Sequence, residues 1–346
     1  MATVPLLVPR SEEDLALKRG AVISERFEMG RNFSNKLWNA CRFVQMNMEG
    51  YTPGLVEESS LTLEDRWLLS RLSTVAQEFT QNLLTFKYSD AIRVLYGFAW
   101  DEYCSFYVEM VKARLNNPDQ RATAQRVLVY ALDVITRLLH PIMPYVTEEI
   151  WAVLNDCAPI RGIVDQQTPA QFACIAQWPE LPKEWQNGEV ESQFAVFQDV
   201  LRGIREIRSR QNVPPKNTVQ FALKCTAELK ALLEPMSAYF ASMAGAEMTS
   251  CGPDAQFPDL ASNYAAADWE ISMDLTGLID IEAELKKQEK ELAKLEGFIK
   301  GKQAKLSNEA FVSKAPAAVI EKEKQSLQDL IDQKTAVEQS IAKLKK

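Results

Sequence analysis

The chain is 346 residues long, 47% hydrophobic and 25% charged, with a formal net charge of −8. That composition supports a sizeable core and excludes wholesale disorder, and the length suits two or three structural units. No apolar run reaches the ~18 residues of a membrane span, and the first residues lack the basic-then-apolar pattern of a secretory signal.

Residues 1–20 read as a lead-in, an extended apolar stretch with Pro5 and Pro9 followed by Ser11 as the cap of a short acidic helix. From about 21 to 47 the pattern is helical. Phe33, Leu37, Ala40 and Val44 form one apolar stripe, and Arg31, Asn35, Trp38 and Arg42 repeat the spacing beside it. Gly50, Pro53 and Gly54 end that helix. Thr62 before Leu63, Glu64 and Asp65 starts the next, which runs to about Phe86. Ser89 is expected to cap a third, whose body is aromatic: Tyr96, Phe98, Trp100, Tyr103, Phe106 and Tyr107. Asn116-Asn117-Pro118 stops it, another helix covers about 119–139, and Thr147 to Leu154 gives a last short one. Long helices with short connections predict an antiparallel bundle.

Residues 156–187 lose periodicity, with 175–179 expected as a packed strand or loop. A helix over about 189–210 ends in Arg202, Arg205, Arg208 and Arg210, which occupy more than one face. At least one pair of them is expected to bind acidic neighbours, and one to reach outward. Strands at 219–223 and 269–273, with one or two helices over 226–244, make a small α/β unit. Beyond 280, Leu285, Leu292, Ile299 and Leu306 fall every seven residues, and Leu330, Val337 and Leu344 form a second line. Pro316 interrupts them, so the two helices fold back as a hairpin. The fold class expected is therefore mainly α: an antiparallel helical bundle (21–155), a linker with a small α/β junction unit (156–279) and a C-terminal antiparallel coiled-coil hairpin (280–346).

Little in the chain suggests catalysis. His140 is the one histidine, no Gly-x-Gly-x-x-Gly or Gly-Lys-Ser/Thr phosphate loop is present, and Glu148-Glu149 point apart on a helix. Six scattered cysteines offer no metal-ligand spacing and read as reduced cytoplasmic thiols, so no metal site is expected. The charge is uneven: residues 281–346 carry a net +3 while 156–280 carry −8. A polyanionic partner is compatible with that basic tail.

Gly30-Arg-Asn-Phe-Ser-Asn-Lys-Leu-Trp-Asn-Ala-Cys-Arg-Phe-Val44 resembles the start of the anticodon-binding bundle of class I aminoacyl-tRNA synthetases of the valine, isoleucine and leucine group. Phe98-Ala-Trp-Asp-Glu-Tyr103 is similar to that bundle's aromatic helix, and Leu138-Leu-His-Pro-Ile-Met-Pro144 with Glu148-Glu-Ile-Trp151 to its closing segment. Leu306-Ser-Asn-Glu-Ala-Phe-Val-Ser-Lys314-Ala-Pro316 resembles the arm tip of the valyl-tRNA synthetase family. That family's ATP-handling signatures, His-Ile-Gly-His and Lys-Met-Ser-Lys-Ser, do not occur here. The resemblance implies the tRNA-recognition part of an ATP-dependent valine ligase. It implies no catalytic residue and no cofactor in this chain, ATP and magnesium serving the parent enzyme. It also implies tRNA as partner, no membrane, a monomer, a cytoplasmic location, and a catalytic body elsewhere in the parent. Two other readings stay open, a free-standing tRNA-binding factor acting in trans and a coiled-coil protein-interaction module.

On the resemblance, Arg31, Asn32, Asn35, Lys36 and Arg42 are candidates to meet an anticodon loop, with Tyr51 as a base-stacking aromatic. The alternative is that the asparagines tie helices together and Tyr51 is an ordinary half-buried residue. Lys294, Lys302, Lys305 and Lys314 are candidates to hold a tRNA backbone, or else pair with neighbouring glutamates on a solvated face. Trp100, Tyr103 and Tyr107 read as core, and His140 as a hydrogen-bonded structural residue.

Overall fold

The computed structural model describes residues 25–258, 261–276, 290, 292–303, 327 and 334. The expected lead-in and most of the expected hairpin lie outside the described residues. The chain divides into two compact units between Val196 and Phe197.

The first unit is helical. Helix α1 (Glu25–Met46) buries the expected stripe of Phe33, Leu37, Ala40 and Val44. Helix α2 (Leu63–Leu84) starts where Thr62 N–H donates to Asp65 Oδ2 at 3.2 Å, which satisfies a donor at the helix start. Helix α3 (Tyr88–Gly97) continues without a break into a π-helical stretch, Phe98–Tyr107, and then α4 (Val108–Leu115). Ser89 is not the cap of this rod. The chain enters it through Phe86, at φ +59°, and Lys87, whose N–H donates to Asn82 O. The wide turn is marked by Ser105 Oγ donating to Trp100 O, five residues back. Within this stretch Tyr103 and Tyr107 are both fully buried, their rings stacked 6.3 Å apart, while Trp100 is half-buried.

Helix α5 (Pro118–Leu139) has proline in its first turn and Asn117 as cap, its side chain accepting from Asp119 N–H. Helix α6 (Pro144–Cys157) begins three residues before the expected Thr147, because Pro144 takes the first helical position and Thr147 Oγ1 turns back to Met143 O. His140 Nδ1 lies 2.9 Å from Thr147 Oγ1, in keeping with a structural role.

Residues 156–187 are fastened to these helices by side chains. Trp151 Nε1 donates to Ala170 O, Trp178 Nε1 to Thr80 Oγ1, and Ser73 Oγ to Pro182 O. The segment 175–179, expected as a packed strand or loop, is a loop that follows the 3-10 turn Ala173–Ile175; Pro179 is buried and Trp178 stacks on Phe79, while Ile175 is exposed. Helix α7 (Gly188–Arg210) follows, with Phe194 stacked on Trp67 at 3.8 Å.

In the second unit a four-stranded sheet has the order β2-β1-β4-β3, from β1 (Val219–Cys225), β2 (Ala246–Cys251), β3 (Ala261–Ala265) and β4 (Trp269–Asp274). β1 and β2 run parallel, joined by helices α8 (Ala227–Leu233) and α9 (Ser237–Ala244), and the other pairings are antiparallel. The sequence patterns show β1 and β4 but not β2 or β3. Phe197 on α7, Phe221 on β1 and Phe240 on α9 form the aromatic centre. Gly203 allows α7 close to the sheet, since a Cβ there would lie 2.9 Å from Ile271 Cδ1. The α7 arginines mostly hold backbone. Arg202 alone of the four pairs with a carboxylate, Asp199, among the described residues. Arg205 donates to Met243 O, Arg208 to the carbonyls of Pro214, Asn217 and Gly245, and Arg210 to Asn263 O and Ser262 Oγ. The expectation of an acidic pair among them is thus met at one position only, the other three being taken up by the carbonyls of the 214–217 turn, of the end of α9 and Gly245, and by β3.

Candidate nucleic-acid interface

One face of α1 is left to solvent. Arg31, Asn32, Asn35, Asn39, Arg42 and Gln45 are all exposed along it, and no Asp or Glu occurs between Met29 and Met48. From Arg31 to Arg42 the face is about 16 Å long at the helical rise. Arg31 reaches back to Glu28 at 3.7 Å, a loose exposed pair with little energetic weight. A row of amide and guanidinium groups without carboxylates can donate to phosphates and to base edges while repelling neither.

Lys36 stands apart from this face. Its Nζ donates to Ser105 Oγ at 2.6 Å and lies 4.3 Å above the Trp100 ring. Trp100 in turn stacks on Tyr96 and Phe33. Lys36 thus joins α1 to the π-helical stretch, and its charge is engaged with an aromatic surface.

Tyr51 follows the other end of α1, whose last residue, Met46, lies about 22 Å from Arg31 at the helical rise. Its hydroxyl donates to Ile160 O at 3.0 Å, and burial pushes its pKa up, so the phenol stays protonated. The structure does not bring Tyr51 and Arg31 together. It groups Arg31, Asn32 and Asn35 near the start of α1, and Arg42 with Tyr51's loop near its end.

That loop, residues 47–55, is held from beneath by α5. Arg121 donates to the carbonyls of Asn47 and Glu49, and Gln125 Nε2 donates to the same two. Arg126 donates to Thr52 O and Leu55 O. Sequence reading did not single out these three residues. The available signal was their one-sided spacing on α5 combined with a glycine-containing loop that needs its carbonyls satisfied.

In the 292–303 segment, Leu295 and Ile299 are buried and Phe298 is exposed. Lys294 is exposed and Lys302 half-buried on this helix, while Lys305 and Lys314 lie outside the described residues. Glu296 pairs with Lys334 at 3.0 Å. Among the described residues no cluster of three or more His, Cys, Asp or Glu side chains could hold a metal ion. No helix among them is long and apolar enough to cross a membrane.

Residues 65–223 match the anticodon-binding domain of tRNA ligase, so the helical unit is of the anticodon-binding class. Residues 280–345 match the valyl tRNA synthetase tRNA binding arm. The chain is 48% identical over 336 residues to the valine–tRNA ligase of Rhodopirellula baltica, covering 96% of this chain and 32% of that protein. It is 39% identical to that of Syntrophotalea carbinolica, covering 91% and 34%, and 36% identical to that of Geobacillus stearothermophilus, covering 93% and 36%. The chain thus carries the anticodon-binding domain of tRNA ligases together with the valyl-tRNA synthetase tRNA binding arm. It spans about a third of the length of the curated relatives it matches.

Proposed function

We propose that this chain is the tRNA-recognition portion of a valine–tRNA ligase, with the helical bundle binding the anticodon loop and the C-terminal arm bracing the tRNA body. The parent reaction is ATP-dependent attachment of valine to tRNA, in the cytoplasm, with ATP and magnesium handled by a catalytic body to which this part belongs. The observation that carries the reading is the exposed α1 face of Arg31, Asn32, Asn35 and Arg42, which has no carboxylate of its own. It precedes the matched residues but belongs to the bundle, whose part from residue 65 on falls within the match to an anticodon-binding domain.

The boundaries we assign are 21–155 for the bundle, 156–279 for the linker and α/β unit, and 280–346 for the arm. For the arm we assign an antiparallel coiled-coil hairpin. The Glu296–Lys334 pair supports it, because the two positions are centred on residue 315, beside Pro316. Lys294, Lys302, Lys305 and Lys314 hold the tRNA backbone in this reading and carry no sequence information. The chain acts as a monomer.

Binding of the purified chain to valine tRNA, to the same tRNA with a changed anticodon, and to an unrelated tRNA across a salt series tests the proposal. Preference for valine tRNA that disappears with the anticodon change supports reading by the bundle. Equal and steeply salt-dependent binding to all three reduces the chain to a backbone-holding module. Absence of binding at low salt refutes tRNA recognition by this part.

A further inference from the structure

We infer that Arg121, Gln125 and Arg126 are positioning residues for the tRNA contact. They fix the 47–55 loop at the end of α1 in the shape that presents it, with Arg42, to the anticodon arm. The inference rests on the function proposed above and goes beyond it, since none of the three is among the residues assigned to touch RNA.

Three side chains from one side of α5 supply seven hydrogen bonds to this one loop. Arg121 Nη2 reaches Asn47 O at 3.3 Å and Glu49 O at 3.1 Å, and Gln125 Nε2 reaches the same oxygens at 2.7 and 3.1 Å. Arg126 gives Nε to Thr52 O at 3.0 Å, Nη1 to Leu55 O at 3.2 Å and Nη2 to Thr52 Oγ1 at 3.4 Å. Arg121 also anchors to Leu115 O, which ties the end of α4 to the same point. The loop approaches the Arg126 fork closely: a Cβ on Gly54 would lie 2.5 Å from its Cζ. Only glycine lets the planar group lie against the backbone there.

The choice of donors is informative. The bundle's other engaged guanidiniums, those of Arg31, Arg71, Arg93, Arg114, Arg137 and Arg161, each pair with a carboxylate. Arg121 and Arg126 pair with none among the described residues, and all of their recorded bonds but one go to carbonyls. A neutral amide suffices to hold such a loop, as Gln125 demonstrates. The two guanidiniums add span: Arg121 reaches the carbonyls of Asn47, Glu49 and Leu115 and Arg126 those of Thr52 and Leu55, so together they fix the loop along its length. A loop fixed in advance also avoids the entropy cost of ordering it on binding. The outer positions Thr52 and Pro53 are exposed, as is Arg42 one turn before the loop.

The experiment separates shape from charge. Valine tRNA transcript is titrated against the full chain, unaltered and as Arg126→Met, Arg126→Lys and Gly54→Ala, at several salt concentrations, with melting temperature measured on each. Lysine keeps the charge but cannot form the fork, and Gly54→Ala displaces the fork without altering any charge. Positioning predicts that all three weaken binding by a similar factor, on the order of tenfold, with the salt slope unchanged. Rescue by Arg126→Lys, with the slope falling by about 0.9 in Arg126→Met, overturns positioning in favour of a direct phosphate contact. Unchanged affinity in all three overturns it by removing the loop from the interface. Failure of the unaltered chain to bind refutes the parent proposal as well, and is told apart because no variant comparison is then needed. Should Arg126→Met fail to melt cooperatively, Gly54→Ala carries the comparison alone, since it keeps every side chain of α5.

Discussion

Arg114→Met tests the ion pair at the centre of the bundle. Arg114 Nη1 lies 2.7 Å from Asp65 Oδ1 and 3.6 Å from Glu64 Oε1, and Arg114 and Asp65 are 4% and 0% exposed. Asp65 also accepts from Tyr107 Oη at 2.7 Å and from Thr62 N–H. Burial works against the guanidinium charge, but the Asp65 hydrogen bond and the fields of Asp65 and Glu64 outweigh it and hold its pKa above the ordinary value. Removing one partner of a buried pair costs about 3–5 kcal/mol, because the other charge is left without its counterion. Asp65 keeps two other donors, which places the cost near the lower end, about 3 kcal/mol. For a unit of this size that is a fall in melting temperature of about 6–12 °C. Urea unfolding followed by far-UV circular dichroism measures it, with Asp65→Asn and the double variant completing a cycle. A cost for Arg114→Met below about 1 kcal/mol, or additive single effects, refutes the view that Asp65 depends on this cation.

Other perturbations read different parts of the molecule. Arg31→Ala and Arg42→Ala, both at exposed positions, are expected to change stability by no more than about 0.5 kcal/mol while each lowers the salt slope of tRNA binding by about 0.9. An unchanged slope in both would remove the α1 face from the interface. Tyr103 and Tyr107 have pKa values held well above the usual phenol range, chiefly by burial, so folding favours their neutral forms. Their contribution is complete below the ~10 of an unfolded tyrosine and is lost as pH rises past it. Alkaline titration should therefore unfold the bundle cooperatively, with phenolate absorbance appearing at the same pH as the loss of helix. Among the thiols, Cys174 is exposed, whereas burial pushes Cys41 and Cys104 up to about 12. Maleimide at neutral pH should label Cys174 first and reach Cys41 only on unfolding, as peptide mapping will show.

The long helices were legible because their apolar stripes match the faces the tertiary structure buries. Phe33, Leu37, Ala40 and Val44 are one case, and the Thr62 start and the Asn116-Asn117-Pro118 stop are local chemistry that the fold preserves. The start of α3 was misplaced because Ser89 is a better intrinsic cap than Lys87, and only the tight Phe86 turn, a tertiary feature, sets the true start. Strands β2 and β3 escaped because Ala-Glu-Met-Thr-Ser-Cys and Ala-Ser-Asn-Tyr-Ala are edge strands with few large apolar residues, so they show no strong alternation. At the candidate site, the exposed face of α1 followed from the sequence. The roles of Lys36 and Tyr51 did not, because each is decided by a partner far along the chain, Ser105 and Ile160. The α5 clamp was hidden for the same reason, its acceptors lying more than 70 positions away.

The strand order of the second unit bears on how the protein is made. β1 sits in the middle of the sheet, but one of its neighbours, β4, is also the last strand, ending at Asp274. During synthesis β1 and β2 can pair as soon as α8 and α9 have emerged, yet Phe221 and Leu223 acquire their second partners, Met273 and Ile271, only after a further stretch of chain. Non-local pairing of this kind is slow and leaves a hydrophobic strand edge open meanwhile. The half-built sheet is therefore an aggregation-prone interval of the nascent chain, and a pause in synthesis while β2 has left the ribosome and β4 is still within it would prolong that interval.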